Sequence, residues 1–93
     1  MVFVDFHGDW CTNGKAFQQR IADDSRLREA LGRAVLLKVY DRSDTFRANQ
    51  ADLRFPELKI GLPFFVIADA DGNVSNKSND YTRTDDMQIV LTP

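Results

Sequence analysis

Three short apolar runs stand out along the chain, at residues 2–7, 34–40 and 60–68. Runs of this length that are rich in Val, Ile, Leu and Phe predict β-strands rather than helices. The first run is apolar at nearly every position, with Asp5 as the one acidic residue inside it. A nearly continuous apolar run is typical of a central strand covered on both faces.

Between the runs, the apolar residues change to helical spacing. Phe17 and Ile21 lie four residues apart within 11–22, which predicts a helix with one buried stripe. A second helix is predicted from a cap at Asp24 or Ser25 to Gly32, and a weakly helical stretch at 44–54 is interrupted by Pro56.

The last third of the chain predicts a turn at 69–72, followed by a polar edge strand from Asn73. A last short helix is opened by Asp85 and Gln88.

The order of these elements is strand, helix, helix, strand, helix, strand, strand, helix. Two early strands separated by helices predict a parallel pair, and the closing hairpin predicts an antiparallel half. The sequence therefore predicts an α/β fold with a central mixed β-sheet flanked by helices. Residues 1–93 contain no repeat or linker, so we expect a single domain.

Two local motifs admit a competing interpretation. Asn13-Gly14 is a strong hairpin signal, but the helical pattern over 15–22 favours a helix. Asp69-Ala70-Asp71-Gly72 resembles a calcium loop in composition, but its Gly stands fourth rather than sixth and no closing Glu follows. We expect a helix start at the first motif and a plain turn at the second.

The charge and composition exclude several classes of function. A net charge of −2 leaves no basic surface for nucleic acid. No apolar run approaches the ~18 residues of a membrane span, and Met1 leads into the first strand pattern without a basic signal-peptide region. The chain has one cysteine, which cannot form an internal disulfide.

That cysteine, Cys11, lies where the first strand pattern gives way to the first helix pattern. A thiol reacts as its thiolate, and the N–H groups and dipole at a helix N-terminus stabilise that anion. A buried, inert cysteine is the alternative. The polar neighbours Asp9, Thr12 and Asn13 favour an exposed, reactive sulfur.

His7 precedes this site by four positions and is the chain's one histidine. Its imidazole can tune the thiol, and we expect it at the surface, where it is either a tuning residue or neutral. Because His7 and Cys11 alone cannot close a zinc site, we expect no metal.

These motifs together resemble the thioredoxin superfamily. The residues that carry the resemblance are Val-Asp-Phe-x-x-x-Trp-Cys-x-x-x-Lys at 4–15, then Gly-Leu-Pro at 61–63 before an apolar strand. The core Asp9-Trp10-Cys11 is most similar to the C-terminal thioredoxin-like domain of the DsbD family of thiol:disulfide interchange proteins. The resemblance spans nearly the whole chain and implies a thioredoxin-like fold without the extra N-terminal strand and helix of many thioredoxins.

The resemblance also implies roles for individual residues. Cys11 matches the attacking cysteine, and Pro63 matches a cis-proline whose strand lies beside the sulfur. Asp5 matches a buried acid that relays protons; its pKa should be raised unless it is paired, and Lys38 on the neighbouring strand is the expected partner. The implied catalytic residues are Cys11, Asp5 and Lys38, and the implied substrate-binding residues are Trp10, Leu62, Pro63, Thr12, Asn13 and Gly14.

The second cysteine of the family motif is missing, because its position holds Gly14. A second thiol normally resolves the mixed disulfide, and glycine cannot. Three accounts stay open: a natural monothiol domain, a redox-inactive module that binds peptides or proteins, or a glycine introduced by engineering. The first is our predicted function and the second is its alternative.

The resemblance extends to partners and location. It implies protein or small-molecule thiols and disulfides as partners, with no cofactor, no nucleic acid and no membrane contact by the domain itself. It further implies a piece of a larger membrane-anchored protein in a periplasmic or other extracytoplasmic setting. A cytoplasmic location is the alternative.

Overall fold

The structure, a computed structural model, describes residues 1–91. Its elements are β1 (Val2–His7), α1 (Thr12–Asp23), α2 (Ser25–Gly32), β2 (Val35–Tyr40), α3 (Asp44–Gln50), a 3₁₀ helix (Pro56–Lys59), β3 (Phe64–Ala68), β4 (Val74–Ser78) and α4 (Thr84–Leu91). The predicted α/β class and the predicted order of strands and helices are confirmed, and the architecture is consistent with a small thioredoxin-like domain. The predicted domain end at residue 93 lies outside the described residues.

The four strands form one sheet in the order β2-β1-β3-β4. β1 pairs in parallel with β2, which places Asp5 opposite Lys38. β1 pairs antiparallel with β3, which places Phe6 opposite Phe64, and β3 pairs antiparallel with β4. The parallel unit, the antiparallel hairpin and the central position of β1 are therefore as predicted.

Because successive side chains of a strand point to opposite faces, β1 contributes to two separate cores. Phe3 belongs to a core shared with α1, α2 and α4. Phe6 belongs to a second core, shared with α3 and the 3₁₀ helix. The buried members of the first core are Phe3, Phe17, Leu27, Ala30, Leu31, Phe65, Ile67, Met87 and Leu91. Those of the second are Phe6, Phe46, Phe55, Leu58, Phe64 and Val66.

Some boundaries differ from the prediction. The third strand begins at Phe64 rather than at residue 60, because Pro63 has no N–H to donate to a ladder. Ile60 lies in the preceding loop with 83% of its surface exposed. The 44–54 helix ends at Gln50, and the last helix begins at Thr84.

β2 is apolar at every position except Lys38, yet it lies at the edge of the sheet. Val35, Leu36 and Leu37 are 58%, 56% and 48% exposed. An apolar pattern reports the tendency to form a strand, whereas position within the sheet is decided by pairing. β4, the polar strand, occupies the opposite edge as predicted.

The predicted turn between β3 and β4 is confirmed. Asp69 accepts hydrogen bonds at Oδ1 from the N–H groups of Asp71 and Asn73, both at 2.9 Å. Gly72 has a φ of 87°, a conformation that residues with a side chain rarely adopt. The carboxylate thus holds the turn.

Candidate active site

Cys11 is the N-cap residue of α1. Its backbone N–H donates to the Gly8 carbonyl at 2.9 Å, and its own carbonyl accepts from the N–H of Lys15 at 3.2 Å. Its Sγ accepts the N–H of Gly14 at 3.3 Å, so the sulfur satisfies one of the free donors of the first turn. Asn13 and Gly14 both lie inside α1, and the competing hairpin is therefore excluded.

The predicted exposure of Cys11 is wrong, because the residue is buried with 4% of its surface accessible. The reason is the cap itself. A side chain that accepts a hydrogen bond from its own helix folds back over the first turn, here toward the Gly14 N–H. The polar neighbours Thr12 and Asn13 are exposed, but the sulfur of Cys11 is not exposed with them.

His7, expected at the surface, is also buried and is only 6% exposed. It is the last residue of β1, and its ring packs edge-on against Tyr40, with the ring centroids 5.6 Å apart. Its Nδ1 is buried and has no hydrogen-bond partner among residues 1–91. The alternation along β1 was the signal for this burial, since His7 shares a face with Phe3 and Asp5.

Gly14 is buried where α1 approaches the end of β1. A Cβ added to Gly14 would lie 2.9 Å from Nδ1 of His7 and 3.6 Å from Sγ of Cys11. The first distance is too short for real atoms, so any side chain at position 14 requires the imidazole to move. The imidazole, the sulfur and the bare Cα of Gly14 therefore surround one small space.

Asp5 lies two residues before His7 on the same buried face and is 6% exposed. Its Oδ2 accepts a hydrogen bond from Nε2 of Gln18 at 3.1 Å, and its Oδ1 has no partner among residues 1–91. Burial raises the pKa of Asp5 above its usual value, although the charges of His7 and Lys38 and the Gln18 hydrogen bond oppose that rise. The expected upward direction is confirmed.

The predicted buried pair of Asp5 and Lys38 does not form. Lys38 stands opposite Asp5 in the register, but its side chain is exposed at the sheet edge and lies 5.9 Å from the centroid of the Tyr40 ring. Among the ion pairs of residues 1–91, none joins the two. Gln18, one turn along α1 from Gly14, is the partner that sequence reasoning missed.

Trp10 stands at the surface, 67% exposed. Its Nε1 donates to Oδ2 of Asp41 at 2.7 Å. Beside it, Arg42 pairs with Asp9 at 2.6 Å and lies over the Tyr40 ring, 4.8 Å from its centroid; the Arg42 hydrogen bond holds the pKa of Asp9 below its usual range. These contacts fasten the loop after β1 to the loop after β2.

The segment before β3 reaches the same edge of the sheet. The Leu62–Pro63 peptide bond is cis, with Pro63 buried and Leu62 half-buried. Since Phe64 pairs with Phe6, Pro63 lies next to the end of β1 that leads to Cys11. The structure thus brings the predicted sulfur and the predicted proline to one end of the sheet.

Asn79, which follows β4, holds this segment in place. Its Nδ2 donates to the Pro63 carbonyl at 3.1 Å and to the Gly61 carbonyl at 3.3 Å. Asn79 and Asn13 line the same polar depression in the surface. Asn79 therefore links the Pro63 segment to a concave surface that the first turn of α1 borders through Asn13, and it is a further residue that sequence reasoning missed.

Two other kinds of site are absent from residues 1–91. No group of three or more His, Cys, Asp or Glu side chains is arranged to hold a metal ion. No helix in the same range combines the length and the apolar character needed to cross a bilayer.

No family model matches the chain. It is similar to the thiol:disulfide interchange protein DsbD of Salmonella choleraesuis (strain SC-B67) and of Salmonella paratyphi A (strain ATCC 9150 / SARB42), with 34% identity over 71 residues in each. DsbD of Salmonella typhi is 32% identical over 71 residues. The matches cover 76% of this chain but 12% of each relative. They support a DsbD-like relationship for a segment about one-eighth the length of those proteins.

Proposed function

We propose that this domain carries out thiol–disulfide exchange as a monothiol, with Cys11 as its nucleophile. The observation that carries the proposal is the position of Sγ at the N-cap of α1, where it accepts the Gly14 N–H. A helix N-terminus stabilises a thiolate through its free donors and its dipole. The similarity to proteins named thiol:disulfide interchange protein supports this class of chemistry.

The reaction needs two steps because Gly14 stands where a second thiol would be. In the first step the Cys11 thiolate attacks one sulfur of a partner disulfide, forms a mixed disulfide and expels the other sulfur, which takes up a proton. In the second step an external thiol loses its proton and attacks the partner's sulfur in the mixed disulfide. Cys11 leaves as thiolate, and the net change is the exchange of one thiol for another in the disulfide.

A second candidate is a redox-inactive module that binds peptides or proteins. The burial of Cys11 at 4% exposure favours it, because an inert cysteine behaves as a small apolar core residue. In this alternative, Trp10, Leu62 and Pro63 contact a partner, as do the exposed Thr12 and Asn13, and the sulfur takes no part. The two candidates differ in whether folding promotes or suppresses the reaction of the sulfur.

We further propose that the domain belongs to a larger protein and works outside the cytoplasm, against protein or small-molecule thiols and disulfides. The basis is the similarity to a short part of DsbD. Expression of the full-length natural protein with a reporter fused to this domain would test the location. Reporter activity confined to the cytoplasm would contradict it.

The test of the exchange reaction uses oxidised glutathione as the disulfide and intact-mass spectrometry as the readout. We expect one glutathionyl adduct on Cys11 at pH 7 and its complete removal by 2-mercaptoethanol. Cys11→Ser should form none. An unmodified wild-type protein after prolonged incubation would overturn the proposed chemistry.

The chain offers a matched control for the N-cap alone. Ser43 caps α3 with the same geometry, since its Oγ accepts the N–H of Phe46 at 3.1 Å. The double variant Cys11→Ser/Ser43→Cys moves the single thiol to that cap. We expect it to form the adduct more slowly than wild type, because it lacks the neighbourhood of His7 and Pro63.

A further inference from the structure

His7 has a buried ring nitrogen that no hydrogen bond uses within residues 1–91. A buried polar atom without a partner costs about 1–3 kcal/mol, and native structures contain few of them. Nδ1 of His7 is such an atom among residues 1–91, and only 6% of the surface of His7 is exposed. Packing against Tyr40 alone would be served as well by Phe.

The unpartnered nitrogen faces the sulfur site. The point at which a Gly14 side chain would begin is 2.9 Å from Nδ1 and 3.6 Å from Sγ of Cys11. No atom of Gly14 fills this point, so the nitrogen and the sulfur border the same space. Glycine at position 14 is what leaves room for the imidazole there.

We infer that the His7 imidazole takes the place of a second thiol beside Cys11 and carries the proton of the exchange reaction. The inference rests on the proposed function. His7 is here a catalytic residue, since it exchanges a proton with the reacting sulfur atoms.

The proton balance closes over the two steps. The resting site holds a Cys11 thiolate beside a protonated His7. When the thiolate attacks the partner disulfide, the departing sulfur takes the proton from His7, which becomes neutral. When an external thiol then attacks the mixed disulfide, its proton passes to His7 and Cys11 leaves as thiolate, which restores the resting pair.

The charges around His7 favour this cycle. The charge of His7 opposes the rise that burial causes in the pKa of Asp5 on β1, and it adds to the lowering by Arg42 of the pKa of Asp9 in the following loop, so each carboxylate attracts a protonated imidazole. The uncharged Tyr40 ring faces it from β2. From α1 the facing group is Cys11, and a thiolate there adds a further attraction.

The experiment exploits the fact that the chain has one histidine and one cysteine, so each titrates as a single signal. NMR follows the His7 ring proton against pH, and iodoacetamide labelling follows the reactivity of Cys11 against pH. Coupling between two sites is reciprocal. We therefore expect Cys11→Ser to lower the His7 midpoint and His7→Asn to raise the midpoint of Cys11 labelling, each by about one pH unit, which is about 10-fold in labelling rate at pH 6.

Two further variants separate pairing from folding. Gly14→Ala keeps the N–H that caps Sγ but inserts a methyl group against Nδ1, so it should displace the imidazole and reduce the coupling without altering His7. Lys15→Gln removes an exposed cation from the first turn of α1 and should shift neither midpoint by more than about 0.3 units. Thermal unfolding of each variant checks that it is folded.

The outcomes distinguish this inference from the proposed function. If wild type forms the glutathionyl adduct at pH 8.5 and the midpoints of His7 and Cys11 are uncoupled in all variants, the exchange function stands and the role of His7 is overturned. If the midpoints are coupled but no adduct forms at any pH, the exchange function is overturned and the proton-carrying role falls with it. Coupled midpoints together with an adduct support both.

Discussion

The two faces of β1 are built differently. On the face toward α3, Val4 and Phe6 pack within a core of aromatic and aliphatic side chains. On the face toward α1, Phe3 is followed by Asp5 and His7, which are both buried and each have a polar atom with no hydrogen-bond partner in the described range 1–91. Buried polar groups lower stability unless they are hydrogen-bonded. Both faces pack against a core, but only the face toward α1 gives up stability near the sulfur by burying polar groups.

The largest change in the free energy of unfolding is expected on the face of β1 toward α3, which is wholly apolar. Phe6 is 2% exposed, and its ring lies 5.7 Å from Phe64, 6.1 Å from Phe46 and 6.2 Å from Phe55 between centroids. Phe6→Ala should lower the free energy of unfolding by about 3–5 kcal/mol, measured by urea denaturation. A loss below about 1 kcal/mol would mean that this core does not hold the fold as described.

On the face of β1 toward α1, a substitution is expected to increase the free energy of unfolding. Asp5→Asn removes a buried charge but keeps an oxygen for Gln18, so it should raise the free energy of unfolding by about 1–3 kcal/mol at pH 7. Equal or lower stability of this variant at pH 7 would contradict the comparison of the two faces.

The pH dependence of that gain follows from the raised pKa of Asp5. The native state binds the proton more tightly than the unfolded chain, so wild type loses stability as pH rises from the unfolded pKa of about 3.9 to the higher native pKa. The loss is complete above the native pKa. The difference between Asp5→Asn and wild type should thus be smallest near pH 3 and constant above the native pKa, and the reverse trend would show that the carboxylate is stabilised by folding.

A smaller effect is expected for Gln18, which donates to Asp5 at 3.1 Å. Gln18→Ala should lower the free energy of unfolding by about 1 kcal/mol and raise the pKa of Asp5 further, since the lost hydrogen bond favours the charged form. Gln19→Ala is the matched control, because Gln19 donates to the exposed Asp23. If both variants lost the same free energy of unfolding, the hydrogen bond from Gln18 to Asp5 would have no special role at the site.

The smallest effect is expected at the surface. Trp10→Phe removes the hydrogen bond to Asp41 from an exposed ring and should change the free energy of unfolding by no more than about 1 kcal/mol. Circular dichroism during thermal unfolding would measure it. A loss as large as that of Phe6→Ala would place Trp10 in the fold-holding part of the molecule.

The fold was largely predictable because its signals are local. Strand and helix patterns, a cap for α2 at Asp24 or Ser25 and the turn at Asp69 each follow from neighbouring residues, and the structure contains them, with Asp24 as the cap. The edge position of β2 was not predictable, because it depends on which strands pair, and pairing joins segments that are distant in the sequence.

The site was only partly predictable. The motif around Cys11 indicated a thiol at the start of a helix, and the sulfur lies there. Its burial, the buried imidazole of His7 and the Gln18 hydrogen bond depend on how α1 packs against β1. The expected Lys38 partner followed the correct register, but a register gives the position of Cα atoms and not the direction of a long side chain at an open edge.

The most direct test compares the reaction of Cys11 with oxidised glutathione at pH 7 in the folded protein and in the same protein unfolded by urea. A buried core sulfur reacts more slowly when folded, whereas a thiolate held at a helix N-terminus beside His7 reacts faster. We predict a folded rate at least about 3-fold above the unfolded rate, because only about 3% of a free cysteine is thiolate at pH 7. A folded rate below the unfolded rate would contradict the monothiol account and favour the binding module.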